Sequence, residues 1–139
     1  MSPAGVAEVE IVDRPPTPEE LARLRASAGM SSPPPAATPA GLAGSWFAVT
    51  AVAAPGRAVG TGRLVGDGAL FLQVVDVAVD PEHQGRGVGA RILRRLLEHV
   101  DRHAPDAYVS LVAEPPGQAL YRRAGFVDVI PSLGMKRER

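Results

Sequence analysis

The sequence predicts a single α/β domain, α+β in its arrangement, with a mixed and mostly antiparallel central sheet of six to seven strands and helices on both faces. The chain has 139 residues, 45% of them hydrophobic, which suits one compact domain over residues 1–139. Apolar, β-branched segments separated by turn residues fill much of the first half. Segments with helical spacing then alternate with further strand-like segments, an order that favours a sheet crossed by helices.

The N-terminal part of the chain predicts a strand, a helix and a loop. Residues 6–12 alternate apolar and charged side chains, which is the period of a strand with one buried face. Thr17 is a suitable N-cap and Pro18 a suitable first helical residue, and Gly29 can end that helix. Residues 31–45 are rich in Pro, Ala and Ser, so we expect a mobile loop with one short helical turn. Such a loop serves either as a linker or as a lid over a binding site.

The middle of the chain predicts a three-strand antiparallel meander. Residues 46–53, 58–65 and 69–80 are apolar and β-branched, and the turn residues of 54–57 and 66–68 separate them. The remaining predicted elements are a helix over 87–103, a strand over 108–113, a helix over 117–123 ended by Gly125, and a strand over 126–130 that starts a final strand pair ending near Met135.

Composition excludes several classes of function. Fifteen basic and fifteen acidic residues cancel, so no overall field attracts nucleic acid or an anionic membrane. The absence of cysteine excludes a disulfide framework and a thiol nucleophile. The sequence shows no apolar run of bilayer length and no basic-then-apolar leader, so we expect a cytoplasmic protein with no membrane partner. Basic residues are almost all Arg, which we interpret as GC-rich coding bias and expect of a bacterial protein.

The strongest functional signal is residues 77–89, in which a buried strand leads through a glycine-rich turn into an amphipathic helix. Glycines allow successive backbone N–H groups to converge on an anion, and the helix N-terminus adds partial positive charge. A Walker loop is excluded because Ala90-Arg91 stand where Lys and Ser or Thr are needed. A dinucleotide fingerprint is excluded because the spacing is Gly85-x-Gly87-x-Gly89 after an antiparallel meander.

The pattern Gln84-x-x-Gly87-x-Gly89, preceded by Val77-Ala78-Val79 and Pro81, resembles the acetyl-CoA signature of the GNAT superfamily of N-acetyltransferases. A second segment, residues 118–126, is similar to the other superfamily signature, in which a helix bearing a tyrosine runs into Gly-Phe and a strand. The two signatures occur in the family's order, and the resemblance covers nearly the whole chain.

The resemblance implies acetyl-CoA as co-substrate, bound between separating strands, and no metal. The stretch after the meander would contact the pantetheine arm, and the glycine turn would wrap the pyrophosphate. The implied cofactor-binding residues are Val77, Ala78, Val79, Gln84, Gly85, Arg86, Gly87, Val88, Gly89, Ala90, Gln118 and Tyr121. Pantetheine would lie between residues 77–79 and the strand around Leu111.

The resemblance implies one catalytic residue, and position along the same strand suggests a second. Tyr121 matches the family's tyrosine near the coenzyme sulfur, where a phenol can protonate the departing thiolate. A backbone N–H of residues 77–79 would stabilise the developing oxyanion. Asp76 adjoins this stretch and is our first candidate for the base that takes the amine proton. Glu82, His83 and an ordered water are the alternatives.

Two positions depart from the family pattern, and they keep a second function open. Gln73 stands where some relatives carry a catalytic Glu, and Glu114 stands where many carry an Asn that touches the coenzyme. The acceptor expected is a primary amine of a small molecule or peptide, and the rival function is an acetyl-CoA sensor without turnover. Tyr121 could also be an ordinary core residue, and Asp76 could bond backbone groups at a β-bulge. A homodimer through the exposed sheet edge near the C-terminus is a further expectation.

Overall fold

The computed structural model describes residues 8–138, which form one five-stranded sheet and four α-helices. In chain order the elements are β1 (Val9–Val12), α1 (Pro18–Ser27), α2 (Thr38–Ala43), β2 (Phe47–Ala53), β3 (Arg57–Gly66), β4 (Phe71–Val79), α3 (Val88–His103), β5 (Tyr108–Ser110) and α4 (Gln118–Arg123). Short 3-10 turns at Pro81–His83 and Pro115–Gly117 precede α3 and α4. Within residues 8–138, no helix is both long enough and apolar enough to span a bilayer.

The strands lie in the order β1-β2-β3-β4-β5. β1 to β4 pair antiparallel with their neighbours, whereas β5 pairs parallel to β4. The predicted meander is therefore confirmed as β2, β3 and β4, and the sheet is mixed and mostly antiparallel as expected. A register shift interrupts the β3–β4 pair between Thr61 and Arg63, which is a β-bulge on the β4 side at Asp76.

Helices pack on both faces of the sheet. On one face α3 approaches so closely that a Cβ on Gly62 would stand 2.7 Å from Ile92 Cγ2, so glycine makes room for the helix. On the other face Leu24 of α1 packs with Ala58 and Ala78. The largest buried cluster lies between α3 and the sheet.

The predicted start of α1 is confirmed. The Thr17 hydroxyl accepts from Glu20 N at 3.1 Å, and Glu20 Oε1 accepts from Thr17 N at 2.9 Å, which completes a capping box. The expected short helical turn within residues 31–45 is α2, which begins at Thr38 with Pro39 in its first turn.

Over residues 8–138 the sheet has five strands, so the prediction of six to seven is wrong. β5 ends at Ser110 instead of residue 113, and residues 126–138 form no strand, which corrects the predicted final pair. A strand needs a paired edge as well as β-branched residues, and the β5 edge available to residues 126–130 is three residues long. Residues 6 and 7 of the predicted first strand lie outside the described residues.

Candidate active site

β4 and β5 separate at one end of the sheet and open a cleft of about 760 Å³. Their parallel pairing covers residues 71–73 and 108–110. Further along, Ala78 and Val79 still pair with β3, but on the β5 side they have no strand partner within residues 8–138. The backbone there can accept an extended ligand in the manner of an added strand. The separation of strands that the resemblance implied is thus present.

The glycine turn at the head of α3 presents free amides to this cleft. Gly85 and Gly87 have φ of +74° and +80°, and a Cβ on either would meet nothing within 4 Å. Left-handed backbone therefore requires these two glycines, and the space beside them stays open. Arg91 N donates to Gly87 O at 3.0 Å, whereas the amides of residues 85–90 have no hydrogen-bond acceptor among the described residues. With the dipole of the 16-residue α3 behind them, these amides suit a phosphate or diphosphate.

Two side-chain contacts hold this turn in place. Gln84 Nε2 donates to Val79 O at 2.9 Å, which ties the turn to the end of β4. A Cβ on Gly89 would lie 3.2 Å from Leu120 Cδ2, so a small residue lets α3 begin against α4. Gln84 therefore positions the turn through its side chain, a role that the sequence did not indicate.

Tyr121 stands on α4 and borders the cleft. Its ring packs on Gly117, where a Cβ would lie 3.0 Å from Tyr121 Cε2, and meets the Phe126 ring edge-on at 6.2 Å between centroids. The hydroxyl has no hydrogen-bond partner within residues 8–138. Desolvation by burial raises the pKa of Tyr121 above its ordinary value of 10.0. The phenol is therefore a proton donor held in its neutral form at neutral pH.

Asp76 lines the cleft but is engaged by two arginines. Arg25 Nη1 donates to Asp76 Oδ1 at 2.5 Å, and Arg63 Nε donates to Asp76 Oδ2 at 2.9 Å. The carboxylate is 7% exposed and sits at φ +57° in the bulge. Both carboxylate oxygens thus accept hydrogen bonds from guanidinium groups, so this geometry suits a carboxylate that holds the bulge better than one that binds the substrate amine.

The same arginines anchor both ends of the Pro/Ala-rich segment. Arg25 Nε donates to Ser31 O at 2.8 Å, and Arg63 Nη1 donates to Ser45 Oγ at 2.8 Å. Met30 lines the cleft, but no residue of 31–45 does. The segment therefore packs beside the bulge, and the structure gives the lid interpretation no support.

The alternative bases differ in their surroundings. His83 is 9% exposed and lines the cleft, and its Nδ1 has no hydrogen-bond partner among the described residues. Glu82 is exposed and does not line the cleft. Gln73 and Glu114, the two departures from the family pattern, both line it. Glu114 has no ion pair or side-chain hydrogen bond within residues 8–138, so it is the cleft carboxylate with free oxygens.

A small cluster of acidic and imidazole groups lies beside the cleft. Ligand atoms of Asp80, Glu82 and His83 all lie within 4.8 Å of one another. Asp80, however, accepts from Ser27 Oγ at 2.9 Å and from Arg23 Nη1 at 3.3 Å. The adjacent guanidinium opposes a cation, so we assign this cluster to the packing of α1 on β4.

The cleft gathers most of the predicted site residues. Those that line it are Asp76, Val77, Ala78, Val79, Gln84, Gly85, Gly87, Val88, Gly89, Ala90 and Tyr121. Arg86 is exposed and does not line it. Gln118 borders a second groove, and its Nε2 donates to Ala113 O at 3.1 Å. Sequence reasoning missed Arg25, Arg63 and Leu120, whose contacts with the site cross long stretches of chain.

Comparison with known proteins agrees with this architecture. Residues 44–128 match the family model described as the acetyltransferase (GNAT) domain. The chain is 34% identical over 97 residues to serotonin N-acetyltransferase 2, chloroplastic, of Oryza sativa subsp. japonica. That alignment covers 68% of this chain and 48% of that protein. It is 33% identical over 87 residues to glucosamine 6-phosphate N-acetyltransferase 1 of the same plant, in an alignment that covers 54% of this chain and 52% of that protein. The chain thus spans about half the length of these curated relatives.

Solved structures give the same fold over nearly the full chain. A protein of unknown function from meticillin-resistant Staphylococcus aureus, described as a probable acetyltransferase, superposes with a TM-score of 0.89 at 34% identity, covering 95% of this chain and 100% of that one. A GNAT family acetyltransferase from Streptococcus pneumoniae superposes with a TM-score of 0.79 at 24% identity, covering 95% and 98%. The second likeness concerns the fold alone.

Proposed function

Because the chain belongs to the GNAT acetyltransferase family, we propose that it transfers the acetyl group of acetyl-CoA to a primary amine of a small molecule or peptide, by direct attack in a ternary complex. One observation carries the proposal: the gap between β4 and β5 runs directly into the turn with free amides. An elongated ligand with an anionic diphosphate at one end matches both parts.

The residues of the cleft suit the coenzyme in two regions. Residues 77–79 offer backbone groups to the amides of the pantetheine arm, and the amides of residues 85–90 offer donors to the diphosphate. The open space beside Gly85 and Gly87 leaves the anion unobstructed. Bound acetyl-CoA supplies an activated thioester. The protein then has only to hold it, exclude water and move protons.

Tyr121 is proposed as the general acid. As the amine nitrogen bonds to the acetyl carbon and the carbon–sulfur bond breaks, the phenol donates its proton to the sulfur. The phenolate recovers a proton from solvent before the next cycle. The raised pKa of Tyr121 keeps the donor protonated at neutral pH, and its free hydroxyl leaves the proton available.

Glu114 is proposed as the group that takes the amine proton. Asp76, our first candidate from the sequence, has both oxygens in hydrogen bonds to arginines, whereas Glu114 lines the same cleft unpaired. The two departures from the family pattern then compensate each other, because the carboxylate missing at Gln73 is supplied from the loop before α4. The substrate ammonium would be drawn to this carboxylate before it loses its proton.

A sensor without turnover is the second candidate function. The observation that favours it is that Asp76 forms ion pairs with both Arg25 and Arg63. These ion pairs leave β4 without an unpaired carboxylate that could accept the amine proton. A sensor would bind acetyl-CoA and release no free coenzyme A with any amine. Replacing Tyr121 by Phe separates the two functions, because a catalyst loses rate whereas a sensor keeps its affinity.

The experiment that tests the proposal combines binding and turnover. Acetyl-CoA at 100 times its Kd should stabilise the fold by about 2.7 kcal/mol, seen as a raised melting temperature. Turnover is followed with a thiol-reactive dye, and the cysteine-free chain itself gives no background. The amine panel includes serotonin and glucosamine 6-phosphate, which the names of the relatives suggest. A protein that acetyl-CoA does not stabilise, and that releases no thiol with any amine, would refute the proposal.

A further inference from the structure

The chain that follows β5 presents alternate side chains to two different cavities. Val112 and Glu114 line the cleft between β4 and β5. Leu111 and Ala113 line the second groove instead. Glu114 has φ of −68° and ψ of 151°, which is extended backbone. Because alternate side chains of an extended chain point the same way, an apolar side chain and a carboxylate face the cleft about 7 Å apart.

Apolar side chains surround this part of the cleft. Val112 is 66% exposed, and of the large hydrophobic side chains exposed within residues 8–138 it is the one that lines the cleft. Met30 lines the cleft from the α1 side and packs against the buried cluster of Leu24 and Ala78. Val75 lines it on β4. A hydrocarbon group bound among these side chains would be removed from water on several sides.

The apolar side chains lie toward the end of the cleft where β4 and β5 still pair, which we call the paired end. The pairing reaches Gln73 and Ser110, and Val75 and Val112 each follow two residues later. The glycine turn lies at the opposite end, beyond Val79. With the coenzyme bound as proposed above, its thioester points toward the paired end. The apolar side chains there therefore face the acceptor amine.

Charged side chains at the paired end are already engaged, with one exception. Each of the three side-chain nitrogens of Arg25 donates a hydrogen bond, to Asp76 or to Ser31. Asp76 in turn forms ion pairs with two arginines. Gln73 contributes a neutral amide. Among the described residues that line the paired end, Glu114 is thus the charged side chain without a partner.

The unpaired cation of the cleft belongs to the other end. Arg123 lines the cleft and forms no ion pair within residues 8–138. It follows Leu120 by three residues on α4, so the two side chains share one face of that helix. Leu120 packs at the start of α3, where a Cβ on Gly89 would lie 3.2 Å from Leu120 Cδ2. Arg123 is therefore placed beside the turn that suits the anionic diphosphate, away from the paired end.

We propose that the acceptor is an apolar monoamine, with its ammonium on Glu114 and its hydrocarbon body against Val112, Met30 and Val75. The inference rests on the proposed acetyl transfer and narrows its acceptor from primary amines in general. A carboxylate or phosphate on the acceptor would meet no free cation among the described residues of the paired end. A second ammonium would meet no free carboxylate there. Val112 thus acts as a specificity-determining residue.

Three acceptors of equal chain length test the class. Pentylamine, 1,5-diaminopentane and 5-aminopentanoate end in a methyl group, an ammonium and a carboxylate. Because an unpaired charge is costly to bury, kcat/KM for pentylamine should exceed that for either of the others by about tenfold or more. From ethylamine to butylamine, each added methylene should raise kcat/KM about fourfold. Equal efficiencies for the three acceptors would overturn the class and leave acetyl transfer standing.

Val112→Asp tests the assigned side chain, and Val127→Asp is the matched control. Val112→Asp places a second carboxylate at the paired end, so 1,5-diaminopentane should become a better acceptor than pentylamine. Both positions are exposed, so circular dichroism should be unchanged in both variants. Val127 does not line the cleft, and its substitution should keep the preference for pentylamine. A preference that Val112→Asp leaves unchanged, or that both substitutions reverse, would overturn the role of Val112.

Binding of the same acceptors to the complex with coenzyme A separates this inference from the proposed function. Ligand-observed NMR measures weak binding without turnover. A protein that releases no thiol with any amine fails as an acetyltransferase. Pentylamine bound about tenfold or more tightly than the other two would still support the apolar monoamine site. Equal binding of the three, or binding of none, would overturn it.

Discussion

Asp76 Oδ2 accepts a hydrogen bond from Arg63 Nε at 2.9 Å, across the bulge that interrupts the β3–β4 pair. The other oxygen of Asp76, Oδ1, accepts a hydrogen bond from Arg25 Nη1. Arg25 belongs to α1, which packs on the face of the sheet opposite α3. One buried carboxylate therefore joins the bulge, α1 and the two neighbouring strands. Because the cleft is lined by residues on both sides of the bulge, the shape of the site depends on this carboxylate.

Asp76→Asn should lower the free energy of unfolding by about 3 kcal/mol, because it removes one partner of a buried ion pair and leaves two guanidinium groups without their counter-charge. Urea denaturation measures the change. Asp101→Asn, at an exposed position of α3, is the matched control and should change stability by less than about 0.5 kcal/mol. A variant of Asp76 with unchanged stability and no turnover would instead return Asp76 to the role of base.

Gly87→Ala should weaken acetyl-CoA binding through the backbone. At φ +80° a Cβ costs about 1 kcal/mol or more, although nothing within 4 Å would touch it. The turn can relieve that cost only by rotating its amides away from the cleft, so calorimetry should show a Kd raised about tenfold or more. Gly41→Ala, in the interior of α2, adds the same methyl group in open space and should leave the Kd unchanged. Equal effects from the two substitutions would count against the amide cradle.

The glycine turn and its helix could be predicted from the sequence because their signals are local. Gly85 and Gly87 stand where left-handed backbone is needed, and the apolar stripe of α3 follows within one helix. Thr17 likewise marks the start of α1, because it forms a capping box with Glu20, three residues further along the chain. In each case a few neighbouring residues determine both the conformation and the direction of its donors.

The partners of Asp76 and the absence of strands after β5 within the described residues could not be predicted, because both depend on distant parts of the chain. Arg25 lies 51 residues from Asp76, and no spacing rule connects them. Residues 126–130 have the composition of a strand, but a strand forms only where an edge is available, and β5 stops at Ser110. Gln118 belongs to a recognisable signature, yet its position on α4 points it toward the second groove.

The pH dependence of turnover should report the raised pKa of Tyr121. Because burial lifts this pKa above 10.0, the donor stays protonated and kcat should hold through pH 9 and fall only at higher pH. The free energy of unfolding should also fall as pH rises past 10, because the phenol then ionises in the unfolded chain while it is still protonated in the folded one.

Tyr121→Phe should lower kcat by about 10²-fold or more and leave the KM for acetyl-CoA nearly unchanged. It should also remove the contribution of this group to the fall of kcat at alkaline pH. A full rate in that variant would show that the phenol is not the donor.

Glu114→Gln should lower kcat by about 10²-fold or more while the Kd for acetyl-CoA stays within a factor of two, because the amide keeps the size of the side chain but cannot take a proton. The loss should shrink as pH rises toward the pKa of the acceptor amine, since more of that amine is then already deprotonated. Glu82→Gln, which changes an exposed acid that does not line the cleft, is the matched control and should keep full activity. The same rate loss at every pH would mean that Glu114 positions the acceptor without accepting its proton. In that case His83 becomes the next candidate for the base, because its Nδ1 is buried along the same cleft without a hydrogen-bond partner among the described residues.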